Sequence, residues 1–421
     1  MTTIPTSALI YRKRPAKGKL SDELHWEQDT HNGNSEKKKD SSLVPVRVAC
    51  AGLNVDDIHL AEGTMILPIS PKVDPIQGVI PGMELAGTRL NTNINDEKAS
   101  NAAIPNPTHT TTTTVVGIKP CIYQTRGTWT TTCYMKEAWL APAPPHLSLR
   151  EAAAIPITAC AALANLRAAG LVVDPHGVAP ATITTHATTG STNNQNKHDD
   201  NKPSVVAVVV GASGGIGTML TQMLVRTQGH VHVIAVSSQK SRHVCCDQCG
   251  AHEWVDRNDS QAIQQLVRNT VAGRNCRAVF DLVGGRDLEQ TYYRALSSSE
   301  AVYCTMNGPL KWIGDDPPTL WTILKYMLAL FWRVLTWGRL FRGAKYVKVD
   351  VPPTDDVGDH LRDAMKLVTQ YKLRPVVDSV VSGGTDDDKD LNAFRAALDK
   401  VRNHQVRGKV VLRFQSAKKQ N

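Results

Sequence analysis

The stretch Val205-Val-Ala-Val-Val-Val210, followed by Gly211-Ala-Ser213-Gly214-Gly215-Ile216-Gly217, decides how the rest of the chain is read. A continuous apolar run dominated by β-branched valines suits a strand buried on both faces of a parallel sheet. Beyond the glycines, residues 218–228 read as a helix with Met219, Leu220, Met223 and Leu224 on one face. Glycines between such a strand and helix permit a tight turn and let the backbone approach a pyrophosphate. The free N–H groups of the helix N-terminus then meet the negative charge. A merely tight turn would not require this spacing, so Gly211, Ser213, Gly214, Gly215, Ile216 and Gly217 are the candidate seat of a dinucleotide phosphate.

Strand and helix patterns continue to alternate outward from this turn. Residues 231–236, 254–256, 278–283 and 301–305 read as strands, separated by helical stretches at 239–249, 259–270 and 286–296. Strict alternation of this kind predicts an α/β fold with a right-handed, doubly wound parallel sheet. The ends of the chain pattern differently. Residues 7–11 and 23–27 read as two short strands, and 372–381, a helix over 391–401 and a strand over 409–414 read as the closing piece of another domain.

The end of the second strand bears on which dinucleotide is bound. A site selective for NAD places an acid there to bond the ribose hydroxyls. Here Ser237, Ser238 and Gln239 precede Lys240 and Arg242. Hydroxyls and cations suit a 2′-phosphate, because an anion needs charge-assisted donors. The expected cofactor is therefore NADP (NADPH).

Composition bounds what surrounds this unit. The 421 residues are 41% apolar, 21% charged and 5% aromatic, a soluble globular composition with room for two or three domains. Forty-eight Lys and Arg against 39 Asp and Glu give a net charge of +9, too modest to single out nucleic acid as a partner. An odd count of nine cysteines, scattered from Cys50 to Cys304, suits a reducing compartment rather than a disulfide framework. A cytoplasmic location is expected. The basic, acid-poor N-terminus from Arg12 to Lys19 keeps a mitochondrial one as the alternative. The apolar stretch between Leu320 and Phe341 is interrupted by Lys325, Arg333 and Arg339, so it is no transmembrane helix. It reads as a buried or interface helix, with 312–341 as a candidate membrane-surface contact. Polar segments at 28–42, 91–114 and 182–203 lack apolar periodicity and read as solvated insertions. His243, Cys246, Cys249 and His252 recur every three residues, but a packed helix end accounts for them better than a metal site.

Taken together, Val46-Arg-Val-Ala-Cys-Ala-Gly-Leu-Asn54-Val-Asp-Asp57, Pro81-Gly-Met-Glu-Leu-Ala-Gly87, Glu151-Ala-Ala-Ala-Ile-Pro156, the glycine turn, Phe280-Asp-Leu-Val-Gly-Gly285 and Arg407-Gly-Lys-Val-Val-Leu412 are more specific than any one of them. On these segments the chain resembles the medium-chain dehydrogenase/reductase superfamily, within it the zinc-independent quinone oxidoreductase and enoyl reductase branch. The Trp-rich stretch at 312–341 and Lys372-Leu-Arg-Pro375 resemble the reticulon-4-interacting protein subgroup. The resemblance implies a GroES-like β-barrel catalytic domain from residues 1–150 and 351–421, flanking a Rossmann dinucleotide-binding domain at 151–350. Zinc-dependent relatives carry a Cys near the position of Asn54 and a His at that of Met83, and a zinc site needs about three such ligands. No metal is therefore expected. By the same resemblance Asn54 lies near nicotinamide or substrate as the candidate catalytic residue. Val283 and Gly284 lie along the cofactor, Gly408 and Lys409 near its nicotinamide half, and Arg257 near the 2′-phosphate or adenine.

These readings predict an NADPH-dependent, zinc-free reductase of quinones or enones, expected as a homodimer. A catalytically weak, cofactor-bound scaffold at a membrane surface or on RNA is one alternative, and an enoyl-thioester reductase is another. The Tyr and Thr that serve proton transfer in many relatives are replaced by Thr64-Met65 and by Cys160-Ala161-Ala162, which counts against the thioester reading.

Overall fold

The computed structural model describes residues 6–28, 42–65, 71–90, 113–120, 125–171, 205–273, 275–309, 318–333, 343–351, 356–383 and 388–414. Insertion 182–203 and nearly all of 28–42 and 91–114 lie outside these residues.

The chain opens with an antiparallel pair, β1 (Ser7–Ile10) and β2 (His25–Gln28). The strands β3 (Leu43–Leu53), β4 (Glu84–Arg89), β5 (Thr114–Ile118), β6 (Thr132–Lys136) and β7 (Leu140–Pro142) follow, with helix α1 (Val55–Glu62) after β3. Two helices, α2 (Leu149–Ala153) and α3 (Pro156–Ala168), lead toward the second sheet. That sheet holds β8 (Val205–Val210), β9 (Val231–Ser237), β10 (Glu253–Asp256), β11 (Cys276–Asp281), β12 (Val302–Thr305) and β13 (Lys345–Lys348). Its helices include α4 (Gly215–Thr227), α5 (Ser260–Leu266) and α6 (Leu320–Trp332). The chain closes with α7 (Val357–Gln370), β14 (Val377–Gly383), α8 (Asp388–Arg402) and β15 (Lys409–Phe414).

The second sheet is six-stranded and wholly parallel, in the order β10-β9-β8-β11-β12-β13. Relative to the first strand, β8, this is the doubly wound order in which the chain runs outward on one side and then reverses. The order reverses between β8 and β11, and in open sheets of this order ligands bind outside the carboxyl ends of the strands at that switch point. Helix α4 buries Met219, Leu220, Met223 and Leu224, the face read from the sequence. Two details differ from the reading. The sheet gains β13, a four-residue edge strand anchored by the buried Tyr346 and too short to announce itself by alternation. The segments at 239–249, 259–270 and 286–296 contain π-helical turns at Val244–Gln248, Val267–Val271 and Glu289–Tyr293 instead of running as uniform α-helices.

The other sheet is mixed and seven-stranded, in the order β14-β15-β3-β4-β5-β7, with β6 paired to β3. Strands from both ends of the chain join in it, since β15 pairs antiparallel with β3 and parallel with β14. Helix α7 packs on α3 and on β5 and β7, burying Val357, Leu361, Ala364, Met365 and Val368. Their spacing of three and four keeps them on one face of a 3.6-residue helix.

Candidate active site

Strand register brings together three residues that are far apart in sequence. Val410 of β15 pairs with Leu53 of β3, and Ala51 of β3 pairs with Leu85 of β4. One step along each strand, Lys409, Asn54 and Glu84 meet. The Lys409 ammonium lies 2.5 Å from Glu84 Oε1 and donates to Asn54 Oδ1. Asn54 Nδ2 donates to Glu84 Oε1 at 3.0 Å, and the Ile157 N–H at the start of α3 donates to Glu84 Oε2 at 2.9 Å. Glu84 is wholly buried and Lys409 nearly so. A buried carboxylate of this kind is tolerable only because its charge is matched and its oxygens are hydrogen-bonded.

Asn54 also caps α1. Asp57, three residues on, returns its Oδ2 to the Asn54 N–H at 2.9 Å, which completes a capping box. Asp57 is buried and its Oδ1 lacks a hydrogen-bond partner. Burial pushes its carboxyl up to about 8, with the Asn54 N–H and the Lys409 charge pulling the other way. Gly52 is required beside this cluster, because a Cβ there would lie 2.3 Å from Glu84 Oε1.

The same cluster adjoins the glycine turn. The Gly408 N–H donates to the Ser213 carbonyl at 2.9 Å, and the aliphatic stem of Lys409 passes over Gly215, where a Cβ would come within 2.9 Å of Lys409 Cδ. Gly211 adopts φ +83°, and a Cβ on Gly217 would lie 2.3 Å from the Gly211 carbonyl oxygen. These glycines set the close passage of strand, turn and helix. Gly214 is the N-cap of α4 and supplies no side-chain acceptor, so the first-turn N–H groups of Gly215, Ile216 and Gly217 are left for an anion.

Across the crevice the loop after β11 is fixed by Asp281. Its buried carboxylate accepts the N–H groups of Val283 at 3.0 Å and Gly284 at 2.8 Å, and Tyr303 donates to it at 2.6 Å. Val283 lies against Gly211, since a Cβ at Gly211 would be 2.9 Å from Val283 Cγ2. At the ends of β9 and β10, Lys240, Arg242 and Arg257 are exposed and Ser238 is half-buried. The Arg257 N–H bonds the Ser237 carbonyl at 2.9 Å, which holds Arg257 beside the end of β9. The Ser237 hydroxyl is buried and receives the Trp254 indole N–H at 2.9 Å, so it faces the protein interior.

Sequence reading named Asn54 and Lys409 separately and missed what couples them. Glu84 stands as a lone acid heading an apolar strand, and the Asn54-x-x-Asp57 spacing is that of a capping box; both signals were legible, but not their convergence. The Thr158 hydroxyl is spent on the Ala154 and Ile155 carbonyls at 2.9 and 3.0 Å. Among the described residues no group of three or more His, Cys, Asp or Glu side chains could hold a metal. Within the His243 to His252 series, Cys249 is buried beside Gln222 and His252 stacks on His232 at 4.9 Å, so these side chains serve separate packing roles.

Residues 249–412 match the family model described as zinc-binding dehydrogenase. No curated protein matches the chain. Solved structures with similar folds include a probable oxidoreductase from Mycobacterium abscessus at 18% identity, TM-score 0.60, over 97% of this chain and 99% of that one. A mycobacterial protein complexed with NADPH aligns at 16% identity, TM-score 0.61, over 97% and 99%. The quinone oxidoreductase from Coxiella burnetii aligns at 16% identity, TM-score 0.59, over 98% and 100%. The zinc of the family description does not fit the residues at this site. Its carboxyl groups are Glu84, already paired with the Lys409 ammonium, and Asp57, whose burial favours the protonated form, and the Lys409 charge opposes a second cation. The parallel sheet order, the glycine turn and the mixed sheet built from both chain ends give this chain the two-domain architecture of the medium-chain dehydrogenases/reductases.

Proposed function

We propose that the chain is a zinc-independent member of the medium-chain dehydrogenase/reductase superfamily that uses NADPH to reduce a quinone or an enone. One observation carries this reading: the Asn54–Lys409–Glu84 cluster adjoins the glycine turn through the Gly408–Ser213 hydrogen bond. A candidate phosphate seat and a buried, charged polar cluster therefore lie side by side, the arrangement expected where a cofactor meets its substrate.

When bound, NADPH supplies the hydride that an activated, electron-poor carbon accepts. The protein's part is to hold and orient. First-turn N–H groups of α4 and the Gly211–Gly217 turn take the pyrophosphate. Ser238, Lys240, Arg242 and Arg257 are the donors for a 2′-phosphate, and the Ser237 carbonyl positions Arg257. Val283 and Gly284 line the cofactor's path. Lys409, oriented by Glu84 and Asn54, stabilises the negative charge that develops on the substrate oxygen. Thr64 bonds the His59 carbonyl and Thr158 is committed to helix carbonyls, so neither hydroxyl is poised to deliver a proton. Protonation by water suits quinones and enones better than enoyl thioesters. The subgroup resemblance rests on residues 312–341, of which 312–317 and 334–341 lie outside the described residues, and on Lys372-Leu-Arg-Pro375.

Turnover of NADPH against a panel of quinones, enones and enoyl thioesters tests this. Oxidation with the first two classes is expected, and Lys409→Met should lower kcat/KM by roughly 10²–10³. A purified protein that neither binds NADPH nor oxidises it with any member of the panel refutes the proposal.

A further inference from the structure

Helix α6 (Leu320–Trp332) exposes an apolar face far larger than isolated surface hydrophobics explain. Leu320, Trp321, Leu324, Met327, Leu328, Phe331 and Trp332 are each between 48% and 87% exposed. At about 100° per residue they fall within an arc of about 140° on one side of the helix. The opposite side faces the protein. Tyr326 is buried against Gly308, Ile323, Ala329 and Leu330 are half-buried, and Arg333 pairs with Glu289 at 2.6 Å. Glu289 is held in turn by the Tyr346 hydroxyl at 2.6 Å. The helix is thus anchored by one face, and no described residue covers the other.

The charge around this face identifies its partner. Among the described residues of 318–348, Lys325 and Lys345 are exposed cations, while Arg333 and Lys348 pair with Glu289 and Asp350. Where α6 ends, a groove of about 270 Å³ is lined by Arg286, Arg294, Arg333, Gln290, Glu289 and Trp332. Its one acid is buried and already engaged by Arg333 and Tyr346, while Arg286 and Arg294 are exposed. Guanidinium groups suit a phosphate ester by geometry and by charge. A second copy of the chain docked symmetrically would set these cations against one another. An anionic bilayer complements both features, offering apolar chains to the arc and phosphate to the arginines. The helix has 13 residues, and no described helix is long and apolar enough to cross a membrane. It would lie flat in the interface.

We propose that α6 docks the protein on an anionic membrane surface, with a lipid phosphate seated in the arginine-lined groove beside Trp332. The full chain should float with phosphatidylcholine vesicles that contain phosphatidylglycerol but not with phosphatidylcholine alone, and the association should weaken as salt is raised. Leu324→Glu with Phe331→Glu should abolish flotation. Arg286→Glu with Arg294→Glu should weaken it at least about tenfold. Both double variants alter exposed side chains and should keep the wild-type thermal transition and NADPH affinity, which separates this proposal from the catalytic one. Equal binding to both vesicle types, or binding indifferent to the arginine reversals, would overturn it. So would absence of vesicle binding together with concentration-dependent self-association that Phe331→Glu removes, which would assign the face to a second copy.

Discussion

Asp57 shows how a single residue's environment reaches a measurable property. Its carboxyl is pushed up to about 8 by burial, against 3.8 for an ordinary aspartate. Between these values the folded protein holds a proton that the unfolded chain has released. Stability from this group is therefore fully present below about pH 4 and is lost as pH rises through about 8. Denaturant midpoints followed across that window should decline for the wild type, and Asp57→Asn should flatten the decline. An unchanged slope in the variant would show that Asp57 titrates normally. The burial behind this shift could not be read from the sequence, where Asp57 looks like an ordinary first-turn helix acid. Lys409 poses the same difficulty. Its place in a Gly-Lys-Val-Val segment was legible, but its ion pair spans 325 residues to Glu84 and exists only through register.

At the scale of elements, the unit from β8 through the glycine turn to α4 was the most legible part of the chain. Its strand is an uninterrupted apolar run, a Cβ on Gly215 or Gly217 would strike Lys409 or backbone, and its helix buries the face that periodicity indicated. The cations after β9 belong to the same level of reading. Replacing Lys240 and Arg242 together by Ala should weaken NADPH by roughly 10–100-fold, the scale of losing charge-assisted hydrogen bonds, and leave NADH almost unchanged. Binding titrations with the two nucleotides check this, and equal losses would remove the 2′-phosphate assignment. Edge strand β13 and the π turns were not legible. A four-residue strand carries too few alternations, and π turns arise from how a helix end is packed rather than from composition.

Across the whole molecule, the two sheets are tied at the crevice itself. Gly408 bonds Ser213, and the Gln222 side chain exchanges hydrogen bonds with the Arg374 backbone at 2.8 and 3.2 Å. Helix α7 adds packing between α3 and the mixed sheet. Saturating NADPH should therefore raise a single thermal transition rather than one of two, with a gain of about 2.7 kcal/mol at a hundredfold excess over Kd. Calorimetry that resolved two transitions, only one of them responsive, would show that the sheets unfold independently.

The sequence by itself determined the parallel α/β sheet, the turn that would hold a phosphate and the absence of zinc ligands at Asn54 and Met83, because these depend on local patterns and residue identity. Tertiary structure alone decided the Asn54–Lys409–Glu84 cluster, the raised Asp57 carboxyl and the exposed face of α6. The physical reason is common to all three. Burial, charge pairing and exposure are set by which distant strands and helices lie side by side, and no local window of sequence contains that information.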